Sequence, residues 1–284
     1  MSKRRIVWLV RAERVPSRCC CVVRAIMIAR RTRDRLLLGC ALLVTWQLAS
    51  WLAGAYWISP PLATMQRLIA ITASGELLWH AGYTLSAAGI GFVLGGVPGV
   101  LAPLVLRRHR FAQTVLDPFL VTGYGLPKLA LAPLFILWFG IGIGSKVALV
   151  VSVVFFIVFF STRAGVLATD QRLIRMARVV GARETQLARK LVWPTVVPFV
   201  FAGLRIATPY AIGGVIISEL VSSNRGLGYM VQYAAMSFST PDIFAVVTAI
   251  TLLIAIATWL VERLERRLLR WRPALDAGTS YGGM

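Results

Sequence analysis

Apolar residues along this chain form long runs, and most of the charged residues lie between those runs. An α-helix needs about 20 predominantly apolar residues to cross the roughly 30 Å hydrocarbon core of a bilayer. Runs of this kind occur at residues 36–57, 83–106, 117–140, 146–165, 195–218 and 243–262. The pattern therefore predicts an all-α membrane protein with six transmembrane helices.

Glycine and proline give the first three predicted spans individual features. Pro60 and Pro61 follow the first span and are expected to stop its helix. The third span should be kinked, because Gly123, Gly125, Pro127 and Pro133 interrupt it. The second span carries small residues at a spacing that lets helices approach closely inside a bilayer. These are Gly89, Gly91, Gly95, Gly96 and Gly99.

The distribution of basic residues predicts the orientation of the chain. The net charge is +20, but 58% of the residues are hydrophobic, which excludes a disordered basic protein. Of the 31 Lys and Arg residues, 26 lie in segments 1–35, 107–110, 161–194 and the tail after 262. The positive-inside rule places these segments and both termini in the cytoplasm, so the charge requires no nucleic acid. Arg67, Lys146 and Arg225 would then lie on the opposite side.

The same pattern divides the chain into a basic cytoplasmic N-terminal segment at 1–35, a transmembrane domain at 36–272 and a short flexible tail at 273–284. The N-terminal segment does not resemble a secretory signal, because its basic stretch is long and no small-residue cleavage site follows. Met27 is an alternative start, which would leave residues 1–26 out of the mature protein. The N-terminal segment also contains three adjacent cysteines, which are expected to be inert thiols, with metal binding as the alternative hypothesis. They are Cys19, Cys20 and Cys21.

The sequence offers no set of residues for catalysis, for a resident metal or for a cofactor. Its two histidines, His80 and His109, are predicted to lie on opposite faces of the membrane, so they cannot share a metal ion or a nucleophile. No glycine-rich phosphate loop ending in Lys-Ser or Lys-Thr is present. Any ATP hydrolysis must therefore come from a partner protein.

Ionisable residues within spans often mark ion or substrate pathways. The candidates here are Lys128, Arg205 and Glu219, with Asp117 at a cytoplasmic edge. Lys128 follows a Gly-x-Gly-x-Pro break in the third span. It is expected either to face a water-lined cavity and attract an anion, or to pair locally. Glu219 ends the fifth span and is predicted to lie at its outer rim.

Residues 161–194 form the longest internal segment on the predicted cytoplasmic side. Apolar positions such as Ile174 alternate with arginines at helical spacing, which predicts an amphipathic helix. Gly181 is expected to interrupt this helix and Pro194 to close it. Two uses fit the pattern about equally: docking to a partner protein, and lying on anionic lipid at the membrane surface.

A motif in this segment resembles the EAA loop of binding-protein-dependent ABC import permeases. The motif is Met176-Ala177-Arg178-Val179-Val180-Gly181-Ala182-Arg183, ending at Leu191-Val192-Trp193-Pro194. The family pattern runs from Glu-Ala-Ala through a glycine to a closing Ile-x-Leu-Pro, and Ala177, Gly181, Leu191 and Pro194 occupy matching positions. Two residues depart from it, since Arg175 stands where the family has Glu and Met176 where it has the first Ala.

Further motifs resemble the nitrate, sulfonate and taurine branch of this family, and together they cover about residues 35–272. They are the stretch from Pro127 to Gly140, Ile58-Ser59-Pro60-Pro61, Gly203-Leu204-Arg205, Ser218-Glu219 and Gly226-Leu227-Gly228-Tyr229. Tyr210 replaces a common Trp. The resemblance implies the type I ABC importer permease fold, in a bacterial inner membrane, with no cofactor of its own.

The resemblance also implies partners and site residues. The partners would be two ATPase subunits, a second permease copy forming a homodimer, membrane lipid and an extracytoplasmic solute-binding protein. A helix at 176–190 would couple to the ATPase, with contributions from Arg175, Met176, Ala177, Gly181, Ala182, Leu187, Leu191 and Pro194. Substrate would pass along the dimer axis, past Lys128, Pro133, Tyr210 and Glu219.

The substrate class stays open at this point. The branch indicates a small anion such as a sulfonate, taurine or nitrate. A permease for a vitamin precursor or a riboflavin-like heterocycle is the alternative, and a channel that works without an ATPase is a third hypothesis.

Overall fold

The computed structural model describes residues 17–269, with side chains from residue 33 onward except those of Arg35 and Arg110. The predicted tail at 273–284 and the side chains of Cys19, Cys20 and Cys21 lie outside the described residues. The chain divides at Pro61 into two compact units.

The first unit is built around one long helix, α1, which spans Ser17–Ala53. Part of the predicted N-terminal segment is therefore helical and continuous with the first apolar span. The expectation that Pro60 and Pro61 stop this helix is wrong, because it ends before Gly54. The chain then folds back, and the Trp46 indole N–H donates to the Ser59 carbonyl at 3.0 Å.

The second unit is entirely helical over its described residues, apart from turns. Its helices are α2 (Pro61–Ala73), α3 (Glu76–Leu106), α4 (Arg110–Gly125), α5 (Ala132–Phe139), α6 (Ile143–Leu167), α7 (Gln171–Val179), α8 (Glu184–Leu187), α9 (Trp193–Val221), α10 (Leu227–Met236) and α11 (Thr240–Leu268). A 3₁₀ turn at Lys128–Leu131 precedes α5, and a π turn at Ala188–Val192 joins α8 to α9.

The predicted spans are present, although one of them is broken. Among residues 17–269, five apolar helices are long enough to cross a membrane: the Leu36–Ala53 part of α1, α3, α6, α11 and the continuous stretch Glu184–Val221. The third predicted span is the pair Phe111–Gly125 and Lys128–Phe139, which meet at a bend of 80°. The kink expected from glycine and proline is confirmed.

Helices α3, α6 and α9 form the core of the second unit. Val150, Val154 and Val158 of α6 are fully buried against small residues of α3 and α9. A Cβ atom added at Gly91 would lie 2.6 Å from the Val150 Cβ, and one at Gly95 would lie 2.8 Å from a backbone oxygen of α6. The close helix packing predicted from the glycines of the second span is therefore confirmed, although Gly89 of that set faces open space.

The second unit has two ends that differ in character. We call the end where α3 and α6 finish and α9 begins the α7 end, because α7 lies there. The opposite end, where α3 and α6 begin and α9 finishes, is the α10 end. The contacts of Gly91 with Val150 and Gly99 with Val158 show that α6 runs parallel to α3. Those of Gly203 with Val158 and Gly214 with Leu149 show that it runs antiparallel to α9.

Candidate functional site

Helix α7 is fixed at both ends by local chemistry. Asp170 caps its start, and the carboxylate accepts a hydrogen bond from the backbone N–H of Arg172 at 2.7 Å. After its end, Gly181 has a φ of 84°. The N–H groups of Gly181 and Ala182 donate to carbonyls of the last turn of α7 at 2.9 and 3.0 Å. This Schellman arrangement favours glycine, so the predicted interruption at Gly181 is confirmed.

The boundaries of the predicted coupling helix need correction. The helix before Gly181 is Gln171–Val179, not 176–190, and the chain after Arg183 is helical again through α8 and the π turn into α9. Pro194 does not close the segment, because it lies in the first turn of α9. Proline is tolerated there, since first-turn N–H groups have no partner within the helix.

The two faces of α7 have different surroundings. Ile174 is buried, and together with Gln171 and Arg178 it lines a cavity between α7 and the rest of the second unit. These three residues are three and four positions apart, so they share one side of the helix. The outward side is uncovered and mostly apolar, with Arg172 among its residues because Arg172 lies four positions before Met176. It carries Leu173 and Met176 and continues into Val179 and Val180, and Val179 is 89% exposed.

The predicted coupling residues fall on both sides of this segment. Arg175, Met176 and Gly181 are exposed, and Leu187 is buried. The remaining four, Ala177, Ala182, Leu191 and Pro194, are half-buried. The exposed residues are fully accessible to a partner and the half-buried ones in part, whereas Leu187 packs within the second unit.

Glu184, at the start of α8, was not singled out from the sequence, but it connects α7 to the core. Its carboxylate accepts from Arg107, just after α3, at 2.7 Å, and from Arg178 of α7 at 3.3 Å. The Arg183 N–H donates to the Gln186 side chain at 2.9 Å, which holds the first turn of α8. The sequence signal available for Glu184 was an acidic residue directly after Arg183, in the first turn of a short helix that ends at Leu187.

The break between α4 and α5 is stabilised by Lys128. Its ammonium group donates to the carbonyls of Tyr124 and Leu126 at 2.8 and 3.4 Å. It also lies 4.5 Å from the centre of the Phe156 ring. Carbonyls at a helix end have lost their helical partners, and Lys128 supplies new ones. Of the two hypotheses for this lysine, the structure therefore favours local pairing.

The other residues predicted to line a path differ in exposure. Pro133, in the first turn of α5, and Tyr210, on α9, are exposed. The 3₁₀ turn approaches α9 near these positions, because the Leu129 side chain lies 3.9 Å from a Cβ position built at Gly214. Both residues therefore belong to the surface near this contact.

The predicted rim position of Glu219 is wrong, because the structure buries it completely. Its carboxylate lies 2.9 and 3.1 Å from the Thr84 hydroxyl of α3 and accepts from the Gly228 N–H at 2.8 Å. A Cβ atom at Gly226 would lie 2.0 Å from a Glu219 oxygen. Glu219 thus holds the turn before α10 against α3, and its place in a translocation path stays a prediction.

Two further polar residues of the α10 end are buried. One is His80, whose Nδ1 accepts from the Gly226 N–H at 2.9 Å. The other is Lys146, the first residue of the fourth predicted span, which is fully buried in the first turn of α6. Its ammonium group donates to the carbonyls of Ile141 and Gly142 at 2.8 and 3.2 Å. Both groups are partnered by backbone atoms that the sequence pattern does not reveal.

With this geometry in place, comparison with known proteins establishes the family. The sequence pattern of the family described as "Binding-protein-dependent transport system inner membrane component" matches residues 88–270. The chain belongs to this family. It is therefore an ABC importer permease, as the EAA-like motif indicated.

Individual relatives of this permease carry different substrates in their names. It is 33% identical to a formylaminopyrimidine transport permease of Halalkalibacterium halodurans, covering 81% of this chain and 92% of that one. It is 31% identical to a Bacillus subtilis protein named for aliphatic sulfonate transport, covering 85% and 88%. It is 34% identical to a riboflavin transport permease of Chloroflexus aurantiacus, covering 81% and 87%.

The fold is shared with a solved structure of an amino acid ABC transporter. The TM-score is 0.57 at 17% sequence identity, covering 70% of this chain and 97% of the other. The type I ABC importer permease fold expected from the sequence is therefore confirmed.

Proposed function

We propose that this permease forms the translocation path of an ATP-driven importer for a small solute. In this proposal two copies of the chain line the path, and an extracytoplasmic solute-binding protein delivers the solute at the α10 end. Two ATPase subunits dock at the α7 end and supply the hydrolysis. The α7 end and both termini are cytoplasmic, in a bacterial inner membrane.

The outward face of α7 is the observation that carries this proposal. Met176 is 66% exposed and Val179 89%, although the helix presents a polar edge elsewhere. A contiguous apolar patch next to charged side chains is typical of a surface that a partner protein covers. The opposite face of α7 is already buried through Ile174. A partner can therefore cover α7 without displacing it from the second unit.

The charge of α7 specifies the partner further. The helix carries Arg172, Arg175 and Arg178 and no acidic residue. Arg175 is exposed where the family motif has a glutamate. A groove that receives this helix should therefore combine an apolar floor with an acidic rim, because charge complementarity favours the correct partner.

The contacts of Glu184 provide a route by which movement of α7 reaches the core. When ATP binding draws two ATPases together, each docked α7 moves with its ATPase. Glu184 joins Arg178 of α7 to Arg107 at the end of α3. If α7 moves, either these ion pairs break or the end of α3 moves with α7. Only contacts that differ between two states can transmit work.

For the solute we propose a small anion of the sulfonate type, supported by the branch motifs and by the sulfonate-named relative. A planar heterocycle is the second candidate, and the relatives named for formylaminopyrimidine and riboflavin favour it. Lys128 adds little to the anion hypothesis, since two carbonyls already occupy its ammonium group.

The docking proposal is tested by affinity purification of the full chain from its host in mild detergent, with mass spectrometry of the chains recovered. The wild type should recover a nucleotide-binding ATPase. Met176→Asp places a charge on the outward face of α7 and should lower ATPase recovery at least about tenfold, because a buried unpaired charge costs several kcal/mol.

Phe238→Asp is a matched control, because Phe238 is also an exposed apolar residue but lies at the α10 end. This variant should recover the ATPase as the wild type does. Recovery of a folded permease without any ATPase would contradict the proposal and favour the channel hypothesis. Equal loss in both variants would show that the effect is not specific to α7.

A further inference from the structure

A cavity of about 680 Å³ lies behind α7, on the side that faces the second unit. It is bounded by the turn after α3, the last turns of α6, and helices α4 and α7. The ends of α3 and α6 are also the ends of two apolar spans. The cavity therefore lies at the depth where the hydrocarbon of a bilayer gives way to lipid headgroups.

Arginines dominate the charged groups of this cavity. They come from three separate parts of the chain: Arg107 and Arg108 after α3, Arg163 of α6 and Arg178 of α7. The carboxylates among the described lining residues are Asp117 and Glu184. Four guanidinium groups against two carboxylates leave an excess of two positive charges around this cavity.

The pairing of these groups shows where the excess lies. Glu184 is shared by Arg107 and Arg178, and Asp117 pairs with Arg163. Among the side chains that the structure describes, no carboxylate lies within ion-pair distance of Arg108. The excess therefore lies on Arg108, which is exposed, and on Arg178, whose side chain is 59% exposed and which shares Glu184. The better-buried Arg107 and Arg163, at 16% and 20%, already have carboxylate partners.

We propose that this cavity binds a phosphoryl anion, held by Arg108 together with Arg107 and Arg178. A guanidinium group presents paired N–H donors that match two oxygens of a phosphate, so clustered arginines favour this ligand over a monovalent halide. The anion can come from an anionic phospholipid of the surrounding leaflet or from free phosphate in solution. This site lies behind α7 and does not depend on the ATPase docking proposed above.

An anion in this position would act on the segment that carries α7. It would share Arg107 and Arg178 with Glu184, whose bridge connects α7 to the end of α3. Occupancy of the cavity would then strengthen the link between α7 and the core by adding a second negative group to the same arginines.

The test uses the purified full chain in bilayer nanodiscs of two compositions, phosphatidylcholine alone and phosphatidylcholine with phosphatidylglycerol. Lipids that stay bound after release into detergent are counted by native mass spectrometry. A third arm adds inorganic phosphate to the phosphatidylcholine discs and measures the shift in thermal unfolding. Retention of phosphatidylglycerol supports a lipid source, and a shift with phosphate alone supports a free anion.

Variants connect the binding to the cavity. Arg108→Gln should weaken retention of the anion about tenfold, because one charged hydrogen-bond partner is lost, while Arg108→Lys should keep part of it. Arg189→Gln is the matched control, since Arg189 is exposed at the same end but does not line the cavity.

Two results would overturn the proposal. In the first, neither phosphatidylglycerol nor phosphate binds the wild type more than phosphatidylcholine does, a comparison that needs no variant. In the second, Arg189→Gln loses as much binding as Arg108→Gln, which would show that general surface charge is responsible. Loss of ATPase recovery in the docking experiment would not affect either comparison.

Discussion

The two ends of the second unit treat their charged groups in opposite ways. At the α10 end, Glu219 and Lys146 are fully buried, and each is bound by backbone groups or a hydroxyl of the same chain. At the α7 end, carboxylates such as Glu184 remain partly exposed and are shared among an excess of arginines. Apolar residues at that end also stand uncovered, as Val179 shows.

This difference indicates which end is completed by the chain itself and which requires other molecules. A buried charge is tolerated only when hydrogen bonds replace the water it has lost, and the α10 end provides them internally. An uncovered apolar patch beside unbalanced arginines lacks such internal partners. Substitutions at the α10 end should therefore change folding, and those at the α7 end should mainly change binding.

The largest expected effect on the free energy of unfolding is that of Gly226→Ala at the α10 end. Gly226 has a φ of 107°, and an added Cβ would overlap the Glu219 carboxylate. The strained backbone and the overlap together should lower the free energy of unfolding by about 3 kcal/mol or more. Denaturant titration in mixed micelles would measure this.

Gly181→Ala is the matched substitution at the α7 end. Gly181 also has a positive φ, but a Cβ there would meet open space. Its cost should be only about 1 kcal/mol, the strain of the left-handed backbone alone. Equal losses at the two glycines would contradict the contrast between a closed and an open end.

Thr84→Val should have an intermediate effect on the free energy of unfolding. It tests the contribution of one hydroxyl group at the α10 end. The Thr84 oxygen lies 2.9 Å from Glu219 and accepts from the Leu227 N–H at 2.9 Å. Valine has the same shape, but it removes a hydrogen-bond partner from both the Glu219 carboxylate and the Leu227 N–H. This loss should lower the free energy of unfolding by about 1–3 kcal/mol. Thr72→Val removes an exposed hydroxyl bonded within α2, and the unfolding free energy should stay within about 0.5 kcal/mol.

The sequence predicted the spans well because each is a local property. Apolar runs and their glycine and proline interruptions gave the helices of the core and the bend between α4 and α5. The short helices α2 and α10 were missed, since Pro61–Ala73 and Leu227–Met236 are too short to register as spans. Helix α1 ends before the two prolines because Gly54, with a φ of 88°, already leaves the helical conformation.

The site was predictable only where its chemistry is local. The turn at Gly181 depends on neighbouring residues, and a glycine in the motif was enough to predict it. The burial of Glu219 depends on Thr84, which lies 135 residues earlier in the chain. The bridge from Glu184 to Arg107 joins residues 77 positions apart. No periodicity in a single sequence specifies such pairs, so they became visible only in the fold.

Glu184→Gln is the smallest of the expected effects on stability and the sharpest test of the α7 end. Ion pairs between partly exposed groups contribute below about 1 kcal/mol, so the free energy of unfolding should change little. The amide no longer holds both Arg107 and Arg178, however, and amide hydrogen exchange in α7 should become faster. Glu262→Gln removes an exposed pair with Arg266 within α11 and should leave α7 unchanged. Unaltered exchange in Glu184→Gln would mean that packing of Ile174, rather than the bridge, holds α7 to the core.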